Sequence, residues 1–163
     1  MSHRIRIFLA VLSVAVISLA GAAFATSPSG LTSTTPIRGL LGKVDVKHNN
    51  IELEAQHHTS ADVAVATLTF APGGSSGWHH HPGVVVVVVE SGTITFYDEN
   101  CHAEVHRAGA AFVESSDEPG LAKNAGTVNA VVHATYIVPT SHSSAQPTPL
   151  RIEDPQPKHC NVT

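Results

Sequence analysis

The residues between positions 77 and 92 read Gly-Trp-His-His-His-Pro-Gly, six valines, then Glu90, Ser91 and Gly92. Side chains alternate along a strand, so His79 and His81 project from one face and His80 from the other. Two neutral imidazoles on one face can converge on a single divalent ion such as Zn, Cu or Ni. A tightly held transition metal takes at least three protein groups, and this stretch offers no third. Glu90 falls on the opposite face by parity. His133 lies in a later strand, and a strand histidine more commonly satisfies a local hydrogen bond or meets solvent. His80 and the pair His57 and His58 could add only to surface binding. Ser115 and Ser116 sit in an acidic loop without the base that a nucleophilic serine needs. The expectation is therefore a metal site of His79 and His81 with an incomplete shell and a weakly held ion. No catalytic residue is assigned and no other cofactor is expected.

Those histidines need a scaffold, and the surrounding pattern is one of short strands. Residues 51–53, 62–70, 84–89, 93–97, 111–114 and 130–138 are rich in Val, Thr, Ile and aromatics. Asn49-Asn50, Ala-Pro-Gly-Gly-Ser-Ser-Gly (71–77), Ser91-Gly92 and the segments 97–100 and 115–120 separate them with turn chemistry. No window of about twelve residues shows a helical stripe, and strands without crossover helices predict an antiparallel all-β sandwich or barrel. Val85, Val87 and Val89 share the face of the histidines and should line an apolar interior. Val84, Val86 and Val88 face the other way and ask for cover, either from the N-terminal strands or from a second copy in a homodimer.

The spacing is more specific than the composition. Gly73, five residues, His79-x-His81, three residues, Val85, six residues and Gly92 resembles the first motif of the cupin family, G(X)5HXH(X)3-4E(X)6G. Gly109, five residues, Ser115-x-Asp117, two residues, Gly120, three residues and Asn124 is similar in spacing to the second, G(X)5PXG(X)2H(X)3N. The resemblance implies an antiparallel jelly-roll β-barrel. In metal-bearing cupins the two histidines and the glutamate of the first motif, with the histidine of the second, bind one divalent metal. Here the glutamate position is Val85 and the second histidine position is Gly120. The resemblance therefore implies a degenerate metal site in a small-molecule-binding or structural module. Two alternatives stand beside it: a metal-dependent cupin enzyme of oxygenase or isomerase type, and an extracellular metal-binding protein that uses His79 and His81.

Of the 163 residues, 42% are hydrophobic and 13% charged, enough for one buried core. Arg4 and Arg6, the apolar run 7–23 and Ala23-Phe24-Ala25 predict a secretory signal peptide over residues 1–25. A Ser/Thr/Pro-rich lead-in (26–36), the barrel (37–138) and a Pro-rich tail (139–163) are expected to follow. Without the signal, seven basic residues face thirteen acidic ones, a net charge of −6. That balance disfavours nucleic acid and anionic membranes as partners and leaves small molecules and metal ions. Export to a periplasmic or extracellular compartment predicts that Cys101 and Cys160 pair in a disulfide that pins the tail.

Overall fold

A computed structural model describes residues 25–42, 44–55, 60–114, 117–141 and 146–162. Of the expected signal peptide only Ala25 falls within them, bridged to Pro155. His57, His58, Ser115 and Ser116 lie outside the described residues.

Thirteen strands and no helix make up the described chain. They are β1 (Ser29–Ser33), β2 (Ile37–Gly42), β3 (Val44–His48), β4 (Ile51–Ala55), β5 (Ala61–Ser75), β6 (His79–His80), β7 (Val84–Ser91), β8 (Thr93–Tyr97), β9 (Ala103–Arg107), β10 (Ala111–Glu114), β11 (Leu121–Lys123), β12 (Ala130–Pro139) and β13 (Ile152–Glu153). The main sheet runs β10-β7-β12-β5-β11-β8-β9, with β1 and β2 also paired to the long β5. Every pairing is antiparallel, and the sheet curls into the nearly closed barrel of a jelly roll. β3 and β4 form a separate hairpin, and β13 pairs with β6.

The valine run obeys its alternation. Val85, Val87 and Val89 are at most 3% exposed, packed with Phe70, Ile94, Val132 and Val138, whereas Val84 and Val88 are 44% and 43% exposed. Burying one such side chain contributes roughly 1.5–3 kcal/mol, so the inner face is the one that stabilises the strand. Among the described residues β1 and β2 do not cover this outer face but extend the sheet beside β5.

The flexible lead-in expected over 26–36 also needs correction. Ser29–Ser33 is a strand, with Leu31 opposite Phe70 and packed against the core. Strand pairing satisfies backbone N–H and C=O groups whatever the side chains, so the open edge of a fifteen-residue β5 can order a Ser/Thr segment.

The tail lies over the barrel as a strap. Cys101 and Cys160 form a disulfide, with Cα atoms 5.7 Å apart. Beside it Trp78, Leu121 and Cys160 make a small second core, and Trp78 Nε1 donates to Val162 O at 3.1 Å. Further along, Arg38 Nη2 donates to Thr148 O at 2.7 Å, and the Asp154 amide donates to Trp78 O at 2.9 Å.

Candidate metal centre

The histidine segment is fixed on both sides. The His79 amide donates to Gly120 O at 3.0 Å and the His79 carbonyl accepts from the Gly120 amide at 2.8 Å, while β13 sets Glu153 opposite His79 and Ile152 opposite His80. His80 turns away from the barrel, its Nδ1 2.7 Å from Asp154 Oδ2. His79 and His81 turn inward and are 5% and 3% exposed. Parity on the strand therefore sorts the three histidines as expected.

A third donor comes from the neighbouring strand. Glu114 ends β10 directly opposite Val85 of β7, and opposed residues in an antiparallel pair share a face. Glu114 is 9% exposed, and its Oε2 lies 3.0 Å from His81 Nε2 and 3.7 Å from His79 Nε2. On the other side of Val85, β12 places Tyr136. The position that holds glutamate in the family motif is thus apolar, and its cross-strand neighbour supplies the carboxylate. Where the spacing predicts two ligands and an incomplete shell, the fold assembles His79, His81 and Glu114 with donor atoms within 4.8 Å of one another.

Hydrogen bonds decide what those atoms offer. His79 Nδ1 lies 2.9 Å from Gly77 O and His81 Nδ1 lies 2.6 Å from Leu150 O. A carbonyl oxygen only accepts, so each Nδ1 carries the proton and each Nε2 points inward, that of His81 3.0 Å from the Glu114 carboxylate. Gly77 can serve because its φ is +69° and a Cβ there would lie 2.3 Å from Thr26 O. Two Nε2 atoms and a carboxylate then face each other across a buried space, an arrangement that could hold a metal ion between them.

Charge states agree. Burial pushes the His79 imidazole down to about 4, only partly offset by Glu114, so it is neutral near pH 7. Burial pushes the Glu114 carboxyl up, but the His81 hydrogen bond and the nearby His79, His81 and Arg151 outweigh it and hold the group below its ordinary value. Burial, then the Glu114 charge, raises the Tyr136 phenol to about 12 and keeps it protonated.

The second family position for a ligand is closed. A Cβ on Gly120 would lie 2.5 Å from Cζ of Phe96, so that ring fills the space a side chain would enter. Among the described residues no fourth His, Cys, Asp or Glu joins the group. Asn124 is fully buried and structural, its Nδ2 donating to Phe70 O and Val128 O. Glu90 and His133 meet each other instead, Oε2 to Nε2 at 2.6 Å, on the exposed outer face. Cys101, His159 and Cys160 also cluster, but the disulfide consumes both thiolates.

The three donors open on a cavity of about 310 Å³. Its walls are chiefly apolar, with Ala66, Phe70, Val87, Ile94 and Val132 among them, and the strap adds Leu150 and Arg151. Glu114 was legible in principle, because Phe112 and Glu114 have the same parity in the strand Ala-Phe-Val-Glu and an acidic residue beside an inward phenylalanine is out of place in an apolar wall. Nothing local marks Leu150 or Arg151.

Residues 66–136 match the family model described as Cupin domain. No curated protein matches the chain. Among solved structures the chain is similar to an oxalate oxidase, with 26% identity and a TM-score of 0.42 over 53% of this chain and 52% of that one. It is also similar to a "predicted oxalate decarboxylase" from Thermotoga maritima, with 22% identity and a TM-score of 0.42 over 49% of this chain and 81% of that one. A protein with a double-stranded β-helix domain from Klebsiella pneumoniae gives 19% identity and a TM-score of 0.44 over 64% and 76%. The match spans only 40–52% of the oxalate oxidase chains.

Proposed function

This chain belongs to the cupin superfamily, matched over residues 66–136, and from that premise we propose that its barrel binds one divalent transition metal. The ligands are His79 Nε2, His81 Nε2 and the Glu114 carboxylate, and the ion's remaining positions face a small organic ligand in the cavity. The observation that carries this reading is the pair of Nδ1–H bonds to Gly77 O and Leu150 O, which turns both Nε2 atoms to the space beside a buried, ionised carboxylate. Such outer bonds fix the tautomer and orientation of metal-ligating histidines. A bound ion would supply a Lewis-acid centre there. The chain's own residues hold the donors in place, keep Tyr136 protonated at the cavity wall and exclude bulk water with Phe70, Val87 and Ile94.

A second reading is a metal-dependent enzyme of oxygenase or isomerase type. One observation favours it: two histidines and one carboxylate, with no fourth protein donor among the described residues, is the donor set that leaves coordination positions open to substrate. The disulfide fits an oxidising compartment, and with the acidic balance of residues 26–163 we place the protein outside the cytoplasm, as a secreted or periplasmic module.

The test is metal analysis of the purified protein after incubation with Zn, Ni or Cu and gel filtration. One equivalent is expected per chain, falling to background in the His79→Ala/His81→Ala variant. No retained metal in the parent, or equal metal in both, overturns the reading.

A further inference from the structure

Arg151 has no role in holding an ion, yet the strap brings it to the wall of the cavity. Its Nη2 donates to Ser76 O and to Glu153 Oε2, each at 2.8 Å. Its Nε is buried and has no hydrogen-bond partner among the described residues. A buried, unsatisfied donor on a charged group is costly, about 1–3 kcal/mol or more, and its persistence at a cavity wall asks for an acceptor. The guanidinium charge is felt by His79, Glu114 and Tyr136, so it lies within reach of the donor cluster.

Charge balance points the same way. A divalent ion on Glu114 leaves one positive charge, and the Arg151 charge is offset by Glu153, which meets the guanidinium from its solvent side, 42% exposed. Surplus positive charge in an apolar cavity is unfavourable unless an anion enters with it. The remaining wall, formed by Leu68, Val85, Ala134 and their neighbours, is chiefly hydrocarbon, with Ser33, Ser76 and Tyr136 also lining it. A volume of about 310 Å³ sits at the lower end for ligand pockets and suits a small body.

We infer that the cavity takes a small monocarboxylate with a short aliphatic or single-ring apolar body, and that Arg151, delivered by the disulfide-pinned strap, is its anion-recognising residue. The metal enters this inference through the proposed function, but the Arg151 contact does not require it.

The test is calorimetric titration of the full mature chain, zinc-loaded and chelator-treated, with benzoate and its neutral isostere benzamide. Benzoate is expected to bind the loaded protein at least about tenfold tighter than benzamide, the scale of one charge-assisted hydrogen bond. Arg151→Gln should remove that preference while leaving the zinc stoichiometry unchanged, and Arg151→Lys should restore part of it. Equal affinity for the two probes, no benzoate binding at millimolar concentration, or an unchanged preference in Arg151→Gln overturns the inference. If the protein retains no zinc, the metal reading fails by itself, and the benzoate preference of the chelator-treated protein still decides the role of Arg151.

Discussion

The barrel wall and the C-terminal strap meet at one cavity, and they are held there by different means. The wall places Glu114, Val85 and Tyr136 side by side through continuous ladders of β10, β7 and β12. The strap places Leu150 and Arg151 through the two-residue β13, a few hydrogen bonds and the Cys101–Cys160 bond. A ladder fixes side-chain direction by parity at every residue, whereas a strap depends on where its ends are tied. The wall therefore carries the carboxylate, while the histidine segment lies between Gly120 and the strap, which orients and covers the site.

The sharpest way to separate the two is to release the strap. The disulfide joins residues 59 apart, and closing such a loop in the unfolded chain is worth about 4 kcal/mol on the loop-entropy estimate. Cys101→Ser/Cys160→Ser is expected to lose stability of that order in denaturant titration. Its zinc stoichiometry should stay at one, because all three ligands sit outside the strap. Its zinc affinity should fall by about 10–100-fold, the usual cost of losing an outer bond such as His81 Nδ1–H to Leu150 O. A variant that loses stoichiometric binding altogether would break the distinction.

Acid tests the wall. The His79 imidazole is lowered from 6.5 to about 4 in the fold, so between those values the unfolded chain takes up a proton that the folded chain refuses. Stability from this group is full above pH 6.5 and is lost as pH falls toward 4, by about 3 kcal/mol in the metal-free protein. Glu114, also lowered, extends the loss below its ordinary value of 4.5. Denaturation of chelator-treated protein at pH 7 and pH 4.5 measures the effect, and His79→Gln should flatten it. A flat profile in the parent would mean that His79 is not buried as a neutral ring.

What the sequence discloses follows the same division. The all-β barrel is legible because alternation and turn residues are local, and His79 and His81 are legible as a pair because strand parity needs no partner. Cys101 and Cys160 are legible because there are only two cysteines. Glu114 stands out only as an acidic residue on an inward face, and its place beside the histidines is hidden because its relation to Val85 is a register between strands 29 positions apart in the chain, set by the whole sheet. Arg151 lies 75 positions from Ser76, in a proline-rich segment with no periodicity to interpret. The same non-local pairing turns Ser29–Ser33 from a lead-in into β1, since the edge of β5 supplies the partner that composition cannot reveal.

The register itself can be tested by moving the carboxylate back across the ladder. Glu114→Val alone removes a direct ligand and should weaken zinc binding by more than about 100-fold, beyond the range for outer-shell partners. Val85→Glu/Glu114→Val restores the glutamate to the spacing of the family motif while keeping one carboxylate and one valine on the same inward face. Because the two positions are directly opposed, the exchanged carboxylate still emerges beside His81, and affinity should return to within about tenfold of the parent. A double variant as weak as Glu114→Val would show that cross-strand opposition does not make the two sites interchangeable. Recovery would mean that a metal ligand can migrate between neighbouring strands with no change in the fold, which is how a chain with valine at the motif position can still present a buried set of two imidazoles and one carboxylate.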